Sequence, residues 1–260
     1  MEKSSPKMDS STLQEFLDEK AAFYENPVFI DSDPIQIPHQ FQKRQDIEIA
    51  GLLTAIIAWG NRTSILNSAR KMMGLLDHDP YTFICGHSPK ELRALDGFVH
   101  RTFQTADLQF MIQALQHAYR IEDSLENFFI GSEQSSMAER IHHFRAFMLQ
   151  TPHEKRSEKH LADPFKGSAA KRIHMFLRWM VRSNTQGVDF GIWNQISTAD
   201  LSCPLDVHSG NVARKLGLLK RQQNDAKAVA ELDQSLRRMD PKDPVKYDFA
   251  LFGLGVFENF

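Results

Sequence analysis

The stretch 46–60, DIEIAGLLTAIIAWG, is apolar around most of a helical circumference. A helix without a polar face must be surrounded by protein, so this stretch predicts a central buried helix with the remaining elements packed about it. Gly60 ends it as a C-terminal glycine, and RTSILNSARKMMGLLD (62–77) follows as its successor. Towards the N-terminus, DSDPIQIPHQFQ (31–42) contains two prolines and reads as an extended connector. Before it, TLQEFLDEKAAFYEN (12–26) starts from a Ser/Thr cap and is stopped by Asn26–Pro27.

Towards the C-terminus, amphipathic helical spacing recurs in TADLQFMIQALQHAYR (105–120), SMAERIHHFRAFMLQT (136–151) and SAAKRIHMFLRWMVRS (168–183). It continues in VHSGNVARKLGLL (207–219) and DAKAVAELDQSLRRM (225–239), and a nearly all-apolar segment, DPVKYDFALFGLGVFENF (243–260), follows a proline. No alternating strand pattern and no fixed-period repeat is present. The expectation is an all-α chain of about nine or ten helices in two lobes. Three parts are expected: residues 1–45, a helix and connector that pack with the C-terminal lobe; 46–182, a central lobe; and 183–260, the C-terminal lobe.

Composition is that of a globular protein, with 42% hydrophobic and 25% charged residues. No apolar stretch is long enough to span a bilayer, and MEKSSPKMDSSTLQEF lacks the apolar core of an export signal, so a cytoplasmic protein without membrane contact is expected. Cys85 and Cys203 form no CxxC pair and cannot ligate an iron–sulfur cluster by themselves. His142 and His143 cannot face one metal from a helix, and neither a metal nor a cofactor is expected. The net charge of −2 argues against a nucleic-acid coat protein, yet its distribution is uneven. Residues 1–60 carry ten acidic against five basic side chains, whereas 155–221 carry twelve basic against five acidic. That basic half is either an anion-binding face or a solvated helical surface.

Two segments can carry chemistry. In DPFKGSAAKRIHMFLRWMVR (163–182), Pro164, Gly167 and Ser168 mark a tight turn, with Ser168 as N-cap of the following helix. Lys171 falls in the first turn, off the stripe formed by Ile173, Phe176, Leu177 and Met180. Taken alone it reads as a solvated lysine. A helix N-terminus, however, disfavours an ammonium, and a neutral amine is the form that attacks carbon and makes a Schiff base. In PLDVHSGNVARKLGLL (204–219), Asp206 stands where a helix begins and reads as its N-cap, an ionised and rigid carboxylate suited to catalysis as well.

Together these segments resemble the helix–hairpin–helix DNA glycosylase superfamily, which includes endonuclease III and the 8-oxoguanine glycosylases. GSAAKRIHMFL aligns on the hairpin, with Lys171 at the nucleophile position, and PLDVHSGNVARKLGLL aligns on the segment bearing the catalytic carboxylate, with Asp206 there. Ala169 replaces the second hairpin glycine, which makes the hairpin degenerate, and the four-cysteine cluster of endonuclease III is missing. Lys171 and Asp206 are separated by thirty-five positions, a wide spacing similar to that of archaeal 8-oxoguanine glycosylases. The chain is also similar to a bacterial family of unknown function through DPIQIPHQF, DIEIAGLLTAIIAWGNRTSI, FVHRTF, KRIHMFLRWMVR and DPVKYDFALFGLGVF.

The superfamily resemblance implies a two-lobed fold, duplex DNA as partner, and excision of an extruded damaged base, an oxidised purine by the wide spacing. It implies that Lys171 attacks C1′, that Asp206 assists, and that the Schiff base undergoes β-elimination. Trp59, Trp179, Trp193 and Phe249 are base-pocket candidates, or core aromatics. Arg62, Gly167, Ser168, Arg178, Arg182, His208 and Arg214 are DNA-contact candidates, or ordinary turn and surface residues. A monomeric glycosylase with lyase chemistry is the first expectation; the second is a non-catalytic nucleic-acid-binding or structural protein that retains the fold.

Overall fold

The computed structural model describes residues 9–132, 134–258 and 260, so the first eight residues of the stretch read for an export signal lie outside it. The protein is mostly helical, with twelve α-helices among the described residues. They are α1 (Ser10–Tyr24), α2 (Val28–Ser32), α3 (Arg44–Ile57), α4 (Arg62–Leu75), α5 (Pro80–Gly86) and α6 (Pro89–Arg93). After a hairpin of two short strands, β1 (Val99–His100) and β2 (Phe103–Gln104), come α7 (Thr105–Ile121), α8 (Met137–Met148) and α9 (Lys171–Val181). The chain ends with α10 (Val207–Lys215), α11 (Ala226–Met239) and α12 (Tyr247–Phe257). No described helix is long and apolar enough to cross a membrane.

Helix α3 is the centre, with every residue from Asp46 to Ile57 buried. Its one deep carboxylate, Glu48, accepts hydrogen bonds from Tyr119 Oη (2.8 Å), Ser124 Oγ (2.6 Å), Leu125 N (3.0 Å) and Trp193 Nε1 (2.8 Å). A buried carboxylate is tolerated only with that many donors. Helix α9 runs antiparallel to α3. At Gly51, an added Cβ would lie 3.1 Å from Met180 Cε and 3.4 Å from the Phe176 ring, so the missing side chain allows the two helices to close. This packing brings the N-terminus of α9 to the C-terminus of α3.

The apolar interior forms two clusters. The larger surrounds α3, α7 and α9; the smaller joins Leu17 and Ala21 of α1 to Leu205, Val212, Leu232, Leu236 and Leu254. Helix α12 serves both, giving Phe249 to the first and Ala250, Leu251 and Leu254 to the second. The stretch 183–201 packs Val188, Trp193, Ile196 and Leu201 into the larger cluster, although its place in sequence suggested the C-terminal lobe. Trp193 is drawn there by Glu48.

The connector 31–42 is not extended: Pro34 and Pro38 each open a 3-10 turn, because their fixed φ suits the first helical position, and Ile35 and Ile37 become fully buried. The FVHRTF stretch is a strand hairpin, with Arg101 in the left-handed region at φ 54°. Two residues per strand are too few for an alternating pattern to be read.

Candidate active site

The turn before α9 is held by its own backbone and by α11. Asp163 accepts from Phe165 N (3.0 Å), Gly167 turns left-handed at φ 87°, and the Gly167 carbonyl accepts from Ala226 N (3.1 Å). Ser168 Oγ accepts from Ala170 N at 3.1 Å. The N-cap of α9 is therefore Ala170 at φ 45°, not Ser168, whose hydroxyl is spent two residues earlier inside the turn. A left-handed alanine costs about 1–2 kcal/mol, so tertiary contacts impose this geometry. The turn is approached through 3-10 turns, Lys155–His160 and Pro164–Lys166, rather than directly from an α-helix.

Asp206 is the N-cap of α10. Its carboxylate accepts from Ser209 N (2.9 Å), and Ser209 Oγ accepts from Asp206 N (2.9 Å), a reciprocal capping box. The Asp206 carbonyl accepts from Asn224 Nδ2 at 2.8 Å. Gly210 makes room for that amide: an added Cβ would lie 2.8 Å from Asn224 Oδ1.

The two helix starts meet. Lys171 Nζ lies 3.0 Å from Asp206 Oδ2, with the lysine side chain 32% and the aspartate 16% exposed. Burial acts to raise the Asp206 carboxyl, but the Lys171 ammonium and the Ser209 N–H outweigh it and hold the group below its ordinary value. The pair sits in a cleft of about 770 Å³ walled by the end of α3, the starts of α4, α9 and α10, and by α12.

Of the residues singled out in the sequence, Trp59, Arg62, Ser168, Lys171, Arg178, Asp206 and His208 all line this cleft. Trp59 is packed by Arg172, His160 and the edge of His100, so its ring supports neighbours. Arg62 lies over Phe252 and donates weakly to Ser32 Oγ at 3.4 Å.

The others are not brought to it. Trp179 and Trp193 are fully buried in the larger cluster, and Phe249 packs edge-on to Phe29 at 5.3 Å beneath Arg178, so none of the three lines the cleft. Arg182 is buried rather than on the surface, and it binds Glu25 (2.6 Å), Asp189 (2.9 Å) and Asp243 (2.8 Å) in the interior. Arg178 reaches the cleft wall, but its guanidinium is taken by Asp189 (3.3 Å) and Asp248. Arg214 donates to the Arg221 carbonyl (2.8 Å) and to Asn224, supporting the Asp206 loop from behind. Gly167 stays exposed on the outer side of the turn, away from the cleft lining.

Sequence reasoning passed over Arg172, Asp33 and Asp248, which also line the cleft. Burial raises the Asp33 carboxyl, and raises that of Asp248 to about 6 against the opposing pull of Arg178. Arg172 follows Lys171 directly and was read only as part of a helix; its chemistry depends on the end of α3.

The sequence pattern of a family described as "protein of unknown function (DUF2400)" matches residues 33–257. The chain belongs to this family. The match spans Asp33 in the cleft wall, both helix starts and all of α12, and among the described residues it takes in every one that lines the cleft except Phe29. No curated protein and no solved structure matches the chain.

Proposed function

We propose that this member of the family is a DNA glycosylase with lyase activity, using Lys171 as nucleophile and Asp206 as its partner. The reading takes the cleft as a glycosylase-type site and the 163–171 turn as a degenerate hairpin. The observation that carries it is the 3.0 Å Lys171–Asp206 contact inside an open cleft, made by two segments thirty-five positions apart.

The chemistry follows from the electrostatics. Lys171 is paired with Asp206, and its positive charge offsets the burial acting on the carboxyl. When Lys171 passes its proton to Asp206, the offset disappears, and burial then favours the protonated acid. The neutral amine attacks C1′; the nitrogen–carbon bond forms as the C1′–base bond breaks, and the departing base takes the bonding pair and the proton held by Asp206. Ring opening, as a proton on the attacking nitrogen passes to O4′, gives the Schiff base, and loss of the C2′ proton to the regenerated Asp206 carboxylate expels the 3′ phosphate.

Borohydride trapping tests this on duplexes bearing oxidised purines or an abasic site. A covalent adduct is expected from the wild type and none from Lys171→Gln. No adduct on any lesion, from folded protein, overturns the reading. In that case salt-sensitive duplex binding unchanged by Asp206→Asn identifies a non-catalytic nucleic-acid binder.

A further inference from the structure

Behind the turn that leads into α9 lies a second cavity, of about 390 Å³. Ser168 and Ala169 line both spaces, so only the turn separates this pocket from the cleft. Its other walls are the start of α8, the stretch 199–202 and one face of α11, where Ala226, Val229, Ala230, Asp233 and Arg237 recur at helical spacing.

Two sets of hydrogen-bonding groups end here unpaired. Ser136 caps α8 through a reciprocal box with Glu139, which satisfies Ser136 N and Glu139 N. The N–H groups of Met137 and Ala138, the next residues on the pocket wall, have no acceptor among the described residues. The second is His174. Two positions past Arg172, it points about 200° further around the helix axis, and it lines the pocket rather than the cleft. The residue is 4% exposed, and its Nδ1 has no hydrogen-bond partner among the described residues. A buried ring nitrogen left unpaired carries a desolvation cost that a ligand recovers.

The charges around the pocket are already matched. Arg140 pairs with Asp200 at 3.2 Å. Arg237 lies 3.5 Å from Asp233 and donates to the carbonyls of Ala199 (3.1 Å) and Leu201 (2.6 Å). Burial, and then the charge of Arg237, keep the His174 imidazole neutral, with its pKa lowered to about 4. What remains is the positive end of α8, worth about half a unit charge. That suits one negative charge, whereas a dianion would face Asp200 and Asp233 with no cation of its own. Pro164, Ala169, Val229 and Ala230 add apolar wall, and the volume is near the lower end for ligand pockets, which fits a short hydrocarbon tail.

We propose that this pocket is a binding site for a small organic monocarboxylate. The carboxylate accepts from the Met137 and Ala138 N–H groups and from the His174 imidazole, and the tail lies against the apolar residues of α11. The site stands apart from the Lys171–Asp206 pair, on the other side of the turn, and does not depend on what the cleft binds.

Nuclear magnetic resonance titration of the nitrogen-labelled full chain tests this, with sodium butyrate as probe and sodium phosphate as its counterpart. Both are added at matched ionic strength and above neutral pH, where phosphate is mostly dianionic. With butyrate, saturable shifts are expected at the His174 ring nitrogens and the Ala138 amide; with phosphate, none at either. His174→Phe keeps a ring of similar shape but no donor, and is expected to weaken butyrate binding about tenfold or more, the worth of a hydrogen bond to a charged group. Ala230→Trp, at the exposed rim, fills the mouth and is expected to weaken it as well; this decides the matter if His174→Phe misfolds. Absence of saturable shifts in wild type, equal affinity for phosphate, or butyrate binding unchanged in the folded variants overturns the proposal. So do shifts that rise linearly without saturating, the mark of an adventitious ion only.

Discussion

Helix α9 and its C-cap residue Arg182 carry four Lys or Arg side chains, and the two ends have opposite fates. At the C-terminal end, Arg178 and Arg182 are buried and met by Asp189, Asp248, Glu25 and Asp243. At the N-terminal end, Lys171 has one partly exposed partner and Arg172 has a backbone carbonyl and an aromatic ring. One end is committed to holding the two apolar clusters together; the other keeps charge available in a cleft. A cationic helix is therefore two different devices, according to which acidic segments reach each end.

The largest test of this contrast is Arg182→Ala, which strands Glu25, Asp189 and Asp243 around a void. Removing one partner of a buried ion network costs about 3–5 kcal/mol. Urea denaturation is expected to register that loss; a change below about 1 kcal/mol would mean that the C-terminal end is no clamp. At the other end, Asp206→Ala removes a cap as well as an ion pair, and a loss of about 1–2 kcal/mol is expected by the same measurement. Lys171→Gln, whose pair is partly solvated, should cost less than about 1 kcal/mol while abolishing trapping. Comparable stability losses from Lys171→Gln and Arg182→Ala would erase the distinction between the ends.

The carboxylates behind the two ends should also titrate in opposite senses. The Asp206 value is below its ordinary 3.8, so its contribution to stability is present above about pH 4 and is lost as pH falls through the folded value. The Asp248 value is raised to about 6, so its contribution is present below about pH 4 and is lost as pH rises through 6. Unfolding free energies measured across this range should therefore differ between wild type and Asp206→Asn by an amount that shrinks in acid. For Asp248→Asn, the difference should change around pH 6. The smallest effect is expected from Ala170→Gly, which relieves a left-handed alanine but loses a buried methyl and adds unfolded-state entropy. A net change within about 1 kcal/mol is expected from melting curves.

How far the sequence could be read depended on distance along the chain. The capping box at Asp206 and Ser209 spans three positions, and the N-cap was legible from PLDVHSG alone. The buried character of α3 was legible from 46–60, because no face of that stretch could meet water. Glu25 lies 157 positions from Arg182, and Asp243 lies 61 away, so nothing in KRIHMFLRWMVR marks Arg182 as an interior residue. The same holds for Trp193, which resembled a pocket aromatic until Glu48, 145 positions away, was placed beside its indole nitrogen. Ser168 was misread for a local reason: serine precedes the helix, but the turn uses its hydroxyl first.

By itself, the sequence determined the helical periodicity, the buried centre and the aspartate at the head of α10, since each depends on neighbours within a turn or two of helix. Tertiary structure alone decided that Lys171 reaches Asp206, that Arg182 does not face solvent, and that Arg172 stands in the cleft with no carboxylate of the described residues paired to it. Those outcomes turn on whether a second charge, contributed from far along the chain, comes within a few ångströms, and electrostatic energy in a desolvated site depends on that separation.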